Sequence, residues 1–188
     1  TLRGDQKFKV LMLGVGWSER KSPGPDIDVD PVVIGRDVSG AARAEWICFF
    51  NQGDIRWAKH SGDSVDGVGQ LDESGDDERM WIDLANVPAE VHSIDLAITM
   101  YEGAKLNETF GDLTWGAIRL VNVNAVGEIV GEEKIRMELT ADQLFNTTGY
   151  LAMTIVRRGP TWEVMRKDDI GPQWGDIQSA ANFTNPAK

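Results

Sequence analysis

The run Ile94-Asp-Leu-Ala-Ile-Thr-Met-Tyr101 decides the fold class of this chain. It is short, rich in residues that suit a pleated strand, and flanked by turn formers, Val87-Pro88 upstream and Glu102-Gly103 downstream. Such a run reads as a strand rather than as part of a long helix. Similar runs recur on both sides of it, at 7–15, 32–34, 44–50, 79–84, 117–123, 128–139 and 150–156. Many short strands separated by turns are the pattern of a β-sandwich or barrel. Helix signals are few. Thr140-Ala-Asp-Gln143 has capping-box spacing for a short helix ending by Asn146, and Val87-Pro-Ala-Glu90 suits one turn after Leu84. From Ile170 onward Gly171, Pro172 and Gly175 lead into a polar tail, which reads as an appendage rather than core.

With 188 residues and 41% hydrophobic content, the chain is long enough for one domain with a sizeable core. Thirty acidic against nineteen basic residues give a net charge of −11, which repels phosphate backbones and argues against nucleic acid as a partner. No apolar run approaches the roughly 18 residues of a membrane span, so no transmembrane segment is expected. The opening residues Thr1 to Asp5 lack the apolar core of an export signal. A lone cysteine, Cys48, fits a reducing compartment, and the expected location is the cytoplasm. Of the seven tryptophans, Trp46 and Trp81 lie in apolar strand runs and read as core. Trp57, Trp115 and Trp174 have polar or glycine neighbours and read as half-buried, with an aromatic contact surface as the alternative.

Two acidic clusters carry the chemistry. Asp26-Ile-Asp-Val-Asp30 places three carboxylates on one side of an extended segment, because strand side chains alternate. The second cluster runs from Gly62 and Asp63 through Asp66, Asp72 and Glu73 to Asp76-Asp-Glu78, broken by Gly67, Gly69 and Gly75. Crowded carboxylates repel one another and raise their own pKa values, a penalty that a divalent cation removes. Glycines let a loop wrap an ion, and Ca²⁺ takes about six to eight oxygen ligands. Asn51 and Gln52, at the end of a hydrophobic run, offer neutral amide oxygens. The first cluster is not an EF-hand, since Pro31 and Asp37 stand where that loop needs glycine and glutamate. Either cluster alone also suits a solvated acidic turn that holds no ion.

Catalytic patterns are weak. His60 and His92 are isolated and cannot assemble a catalytic zinc site. Cys48 has apolar neighbours and reads as a packing residue. Gly14-Val-Gly16 lacks the third glycine of a dinucleotide fingerprint, and no phosphate loop occurs. The expectation is a protein without enzymatic activity.

The order of motifs resembles one known family. Leu13-Gly-Val-Gly-Trp17, Asp26 to Asp30, Phe49-Phe-Asn-Gln52, His60-Ser-Gly-Asp63 and Gly75-Asp-Asp-Glu78 occur in the succession of the TerD-domain family of tellurium-resistance and stress proteins. Ile82-Asp-Leu-Ala-Asn-Val-Pro-Ala89, Phe110-Gly111 and Ala117-Ile-Arg-Leu-Val-Asn122 continue the resemblance, which covers residues 5–165. It implies a mainly β, two-sheet β-sandwich with acidic calcium-binding loops, and Ca²⁺ binding rather than catalysis. The implied ligands are Asp26, Asp28, Asp30, Asn51, Gln52, Asp63, Asp76, Asp77 and Glu78, with carbonyl oxygens of Gly62 and Gly67. Family members hold two neighbouring calcium ions. Here the stretch from Gly67 to Gly75 is longer than the family pattern and Val68 stands in place of an acid, so one site is expected to be rearranged, with Asp72 or Glu73 substituting, or lost.

The resulting expectations are a TerD-like sandwich domain over 1–167, a divergent tail or arm over 168–188, and protein partners or a homo-oligomer. The leading function is a calcium-dependent interaction surface of the tellurium-resistance and stress-response type. The alternative is a structural or assembly protein, for example a bacteriophage virion component, located in the virion.

Overall fold

A computed structural model describes residues 8–18, 20–49, 53–67, 75–140, 142–175 and 177, with Pro172 and Gln173 described in their backbone only. Its strands are β1 (Val10–Trp17), β2 (Val29–Arg36), β3 (Ala42–Cys48), β4 (Ala58–His60), β5 (Glu78–Asp83), β6 (Ser93–Met100), β7 (Gly116–Val123), β8 (Glu132–Glu138), β9 (Gly149–Arg158) and β10 (Thr161–Asp169). They form two five-stranded sheets, ordered β4-β5-β1-β7-β8 and β10-β9-β6-β2-β3. Every strand pair is antiparallel. The molecule is a two-sheet β-sandwich, as the β-rich runs and the resemblance lead one to expect.

Alternation builds the core between the sheets. Leu11, Leu13, Val15 and Trp17 of β1 meet Ile94, Leu96, Ile98 and Met100 of β6 in one buried cluster. The opposite face of β1 is also covered: Val10 and Met12 join Trp81, Val121 and Val123 in an outer cluster. A third cluster lies outside the other sheet, where Val32, Ile34, Ile47, Phe49, Ala97 and Leu151 are buried together with Trp174 and Ile177. Strands β1 and β2 are buried on both faces, so burial along them shows no alternation and the sequence does not reveal which face is inward.

Each run read as a strand overlaps one. Two strands escape the sequence pattern: β4 has only three residues, and β10 ends in the charged run Arg166 to Asp169 at a sheet edge. The expected helix before Asn146 is a single 3₁₀ turn at Asp142–Leu144. Two short helices were not anticipated, α1 (Gly103–Leu106) and α2 (Pro172–Gly175). The expected boundary between 167 and 168 falls inside β10, and the segment beyond it begins as folded structure, since Trp174 and Ile177 are buried. Trp57 is also buried, so of the three doubtful tryptophans only Trp115 is partly exposed. Cys48 is buried as a packing residue, its thiol pushed up to about 12 by burial first and by the charge of Asp54. Among the described residues no helix is long and apolar enough to cross a membrane.

Candidate metal centre

Three segments meet at one end of the sandwich: residues 26–30, which run into the start of β2, the loop 61–67 after β4, and residues 75–78, which run into the start of β5. The first segment goes inward by degrees, with Asp26 exposed, Asp28 half-buried and Asp30 fully buried. Carboxylate oxygens of Asp28, Asp30 and exposed Asp63 all lie within 4.8 Å of one another. Asp26 is not part of this trio. The Asp28 carboxyl is pushed up to about 7, chiefly by burial and further by the charges of Asp63 and Glu78. Its Oδ1 is buried with no hydrogen-bond partner among the described residues.

Glu78 pairs with Val15 across the sheet and therefore points inward, on the same side as Met80 and Ile82. Burial raises its pKa, and two hydrogen bonds oppose that rise. Ser64 N–H donates to Oε1 at 2.8 Å, and His60 Nε2 lies 3.1 Å from Oε2. Because His60 Nδ1 accepts the N–H of Gly62 at 3.0 Å, Nε2 is the nitrogen that donates to Glu78. Asp77 is equally buried. Its Oδ2 accepts the Trp17 N–H at 2.9 Å, while Oδ1 has no hydrogen-bond partner among the described residues. Burial raises the Asp77 pKa against that one hydrogen bond, and the charges of Asp76 and Asp66 add to the rise.

Two glycines let the loop take its path. Gly62 has φ +118° and Gly67 φ +64°. A side chain at Gly67 would stand 2.5 Å from the Trp17 indole, so only glycine lets the loop lie against that ring. Trp17 joins the segments, because its backbone N–H holds Asp77 and its indole N–H donates to the Ile27 carbonyl at 2.8 Å.

Asp76 faces the other way. Arg79 Nε donates to its Oδ2 at 2.8 Å, and Arg119 donates from Nε to Oδ1 at 2.7 Å and from Nη2 to Oδ2 at 2.6 Å. Burial alone would raise its pKa, but the hydrogen bonds and charges of Arg119 and Arg79 outweigh it and hold the carboxyl below its ordinary value. Of the residues singled out in the sequence, the structure thus gathers Asp28, Asp30 and Asp63. It buries Asp77 and Glu78 within electrostatic reach of other acids of the site and turns Asp76 towards two guanidiniums. Asn51, Gln52, Asp72 and Glu73 lie outside the described residues. Trp17, His60, Ser64 and Asp66 were not singled out as ligands, and only the His60-Ser-Gly-Asp63 motif hinted at His60.

Buried carboxylates with raised pKa values and unmatched oxygens fit a hard divalent cation. The TerD domain matches residues 2–168. General stress protein 16U of Bacillus subtilis (strain 168) is 31% identical over 157 residues, covering 81% of this chain and 76% of that protein. Tellurium resistance protein TerD of an Alcaligenes species is 29% identical over 162 residues, 83% of this chain and 78% of its own length. A crystal structure described as a homologue of telluride resistance protein (TerD) from Streptomyces coelicolor A3(2) shares the fold, with a TM-score of 0.73 at 14% identity over 95% of this chain and 96% of that one. The chain therefore belongs to the TerD domain family.

Proposed function

We propose that this protein is a non-enzymatic Ca²⁺-binding module whose acidic end becomes an interaction surface when the ion is bound. The observation that carries the reading is the trio Asp28, Asp30 and Asp63, joined by two buried carboxylate oxygens, on Asp28 and Asp77, that have no hydrogen-bond partner among the described residues. Asp28, Asp30 and Asp63 would hold one ion, with Asp77 and Asp66 the candidates for a second. A bound Ca²⁺ would offset the mutual repulsion of these carboxylates. Ligands drawn from separate segments suit a large cation with an adaptable oxygen shell better than the octahedron that Mg²⁺ demands. The names of the relatives extend the proposal to a role in stress response and tellurium resistance, exercised in the cytoplasm through protein partners or further copies of the chain.

Calorimetric titration of the chelator-treated protein with Ca²⁺, with melting curves in parallel, tests the reading. Binding that saturates and raises Tm, and that is lost in the Asp28→Ala, Asp77→Ala double variant, is the expected result. At 100 times its Kd an ion that binds only the folded state adds about 2.7 kcal/mol. Absence of both heat and stabilisation at millimolar calcium would refute the proposal.

A further inference from the structure

The carboxylate of Asp76 and its two arginines lie on the face of the sheet away from the core. Gly14 of β1 pairs with Arg79 on β5 and with Arg119 on β7, so the three positions form one row across the sheet. The row lies on the outer face, next to the row of Trp81, Met12 and Val121. Gly14 brings no side chain, and the Asp76 carboxylate folds into the space this leaves. A Cβ at position 14 would stand 2.5 Å from Asp76 Oδ1 and 2.6 Å from Oδ2. The side chains of Asp76 and Arg79 are almost wholly buried there, and Arg119 is nearly so.

The residues after Asp76 take their aim from this anchor. With Asp76 fixed outward, Asp77 is held to β1 by its backbone, its N–H donating to the Val15 carbonyl at 2.8 Å, and its carboxylate meets the Trp17 N–H. Glu78 then enters β5 facing inward. Arg79 also ties down the start of the loop that bears Asp63. Its N–H donates to Ser61 Oγ at 2.8 Å, and its carbonyl accepts the Ser61 N–H at 2.9 Å.

We propose that Asp76, Arg79 and Arg119, seated over Gly14, are positioning residues for the cation site: they aim Asp77, Glu78 and the Asp63 loop, and Asp76 itself binds no ion. The inference rests on the calcium reading given above. It differs in sign from the alternative in which Asp76 is a ligand. If Asp76 bound the ion, removing Arg119 would free a carboxylate, take away a repelling charge, and tighten Ca²⁺ binding. A positioning clamp gives the opposite result.

The test is Ca²⁺ calorimetry on the full chain, comparing wild type with Arg119→Met, Arg119→Lys and Gly14→Ala, each first shown by circular dichroism to be folded at the working temperature. Gly14→Ala keeps every charge and only evicts the Asp76 carboxylate, so it carries the test if Arg119→Met does not fold. Affinity lower by tenfold or more in Arg119→Met and Gly14→Ala, with partial recovery in Arg119→Lys, is the expected outcome. A purely structural role would lower the melting temperature and leave the Kd of the folded variants unchanged, which would overturn the inference. Tighter binding in Arg119→Met would overturn it in favour of Asp76 as a ligand. A wild-type protein that takes up no calcium would instead end the function proposed above, and this inference with it.

Discussion

Replacing Asp28 by Asn should stabilise the metal-free protein and at the same time disable the cation site proposed above. In the folded chain the Asp28 carboxyl titrates near 7 instead of 3.8, because burial and the charges of Asp63 and Glu78 oppose its ionisation. Below pH 3.8 both folded and unfolded chains hold the proton, and the group takes nothing from stability. As pH rises towards 7 the unfolded chain releases the proton while the folded chain keeps it, so stability falls, and above about 7 the loss is complete. At about 1.36 kcal/mol per pH unit the full gap would be about 4 kcal/mol. Asp28 is only half-buried, and solvent screening reduces this to about 2 kcal/mol. For a domain of this size that is a Tm difference of about 4–8 °C. Urea or thermal unfolding in chelator, from about pH 4 to about pH 8, reads it directly. Asp28→Asn should equal wild type at the acid end and exceed it increasingly up to neutral pH. With saturating Ca²⁺ the order should reverse. A difference between the two proteins that does not change with pH, or a variant less stable than wild type at the alkaline end in chelator, would show the reasoning to be wrong.

Gly67→Ala places a methyl group 2.5 Å from the Trp17 indole in a left-handed backbone conformation, and should cost about 1–3 kcal/mol by urea unfolding while weakening Ca²⁺ binding. A neutral result would mean that the loop does not rest on Trp17. Trp174→Ala empties the outer cluster beneath α2 and should cost about 3 kcal/mol in the same assay; a loss under about 0.5 kcal/mol would show that this segment is not docked in solution. His60→Ala deprives buried Glu78 of one of its two donors. It should destabilise the metal-free protein by about 1–3 kcal/mol at neutral pH, and His60→Gln, which can still donate, should recover part of that. Equal losses in both variants would argue that His60 acts by filling space rather than by donating.

Strand positions were legible because runs such as 94–101 are short, β-rich and bounded by turns. The two that were not, β4 and β10, lack that signal for a physical reason: one is too short to show a period, and the other is an edge strand whose charges face solvent. The trio at the candidate cation site was legible in part. Alternation puts Asp26, Asp28 and Asp30 on one side, but how deeply each is buried depends on where the sheet ends, which no local pattern encodes. The roles of Asp76 and Asp77 were not separable from sequence at all. They are adjacent and chemically identical, and their difference is made by Gly14 and by two arginines brought into one row with it by strand register.

That register also ties the acidic end to the core. Trp17 closes the inner row of β1, and the same side chain receives Gly67 against its ring and donates to the Ile27 carbonyl between Asp26 and Asp28, while its backbone N–H holds Asp77. A displacement of any of these carboxylate-bearing segments is therefore a displacement against a buried tryptophan, and close-packed interiors resist such movement or switch between discrete arrangements. Trp115 sits on the outside of the same junction. It is partly exposed, lies over Gly16 and Gly75, and exchanges backbone and side-chain hydrogen bonds with Ser18, the residue after Trp17. The acidic segments and an exposed aromatic are thus joined through Trp17 and Ser18, neighbours at the end of β1. The interaction surface proposed above belongs at this end of the sandwich, because here the unmatched carboxylate oxygens of Asp28 and Asp77 meet the core.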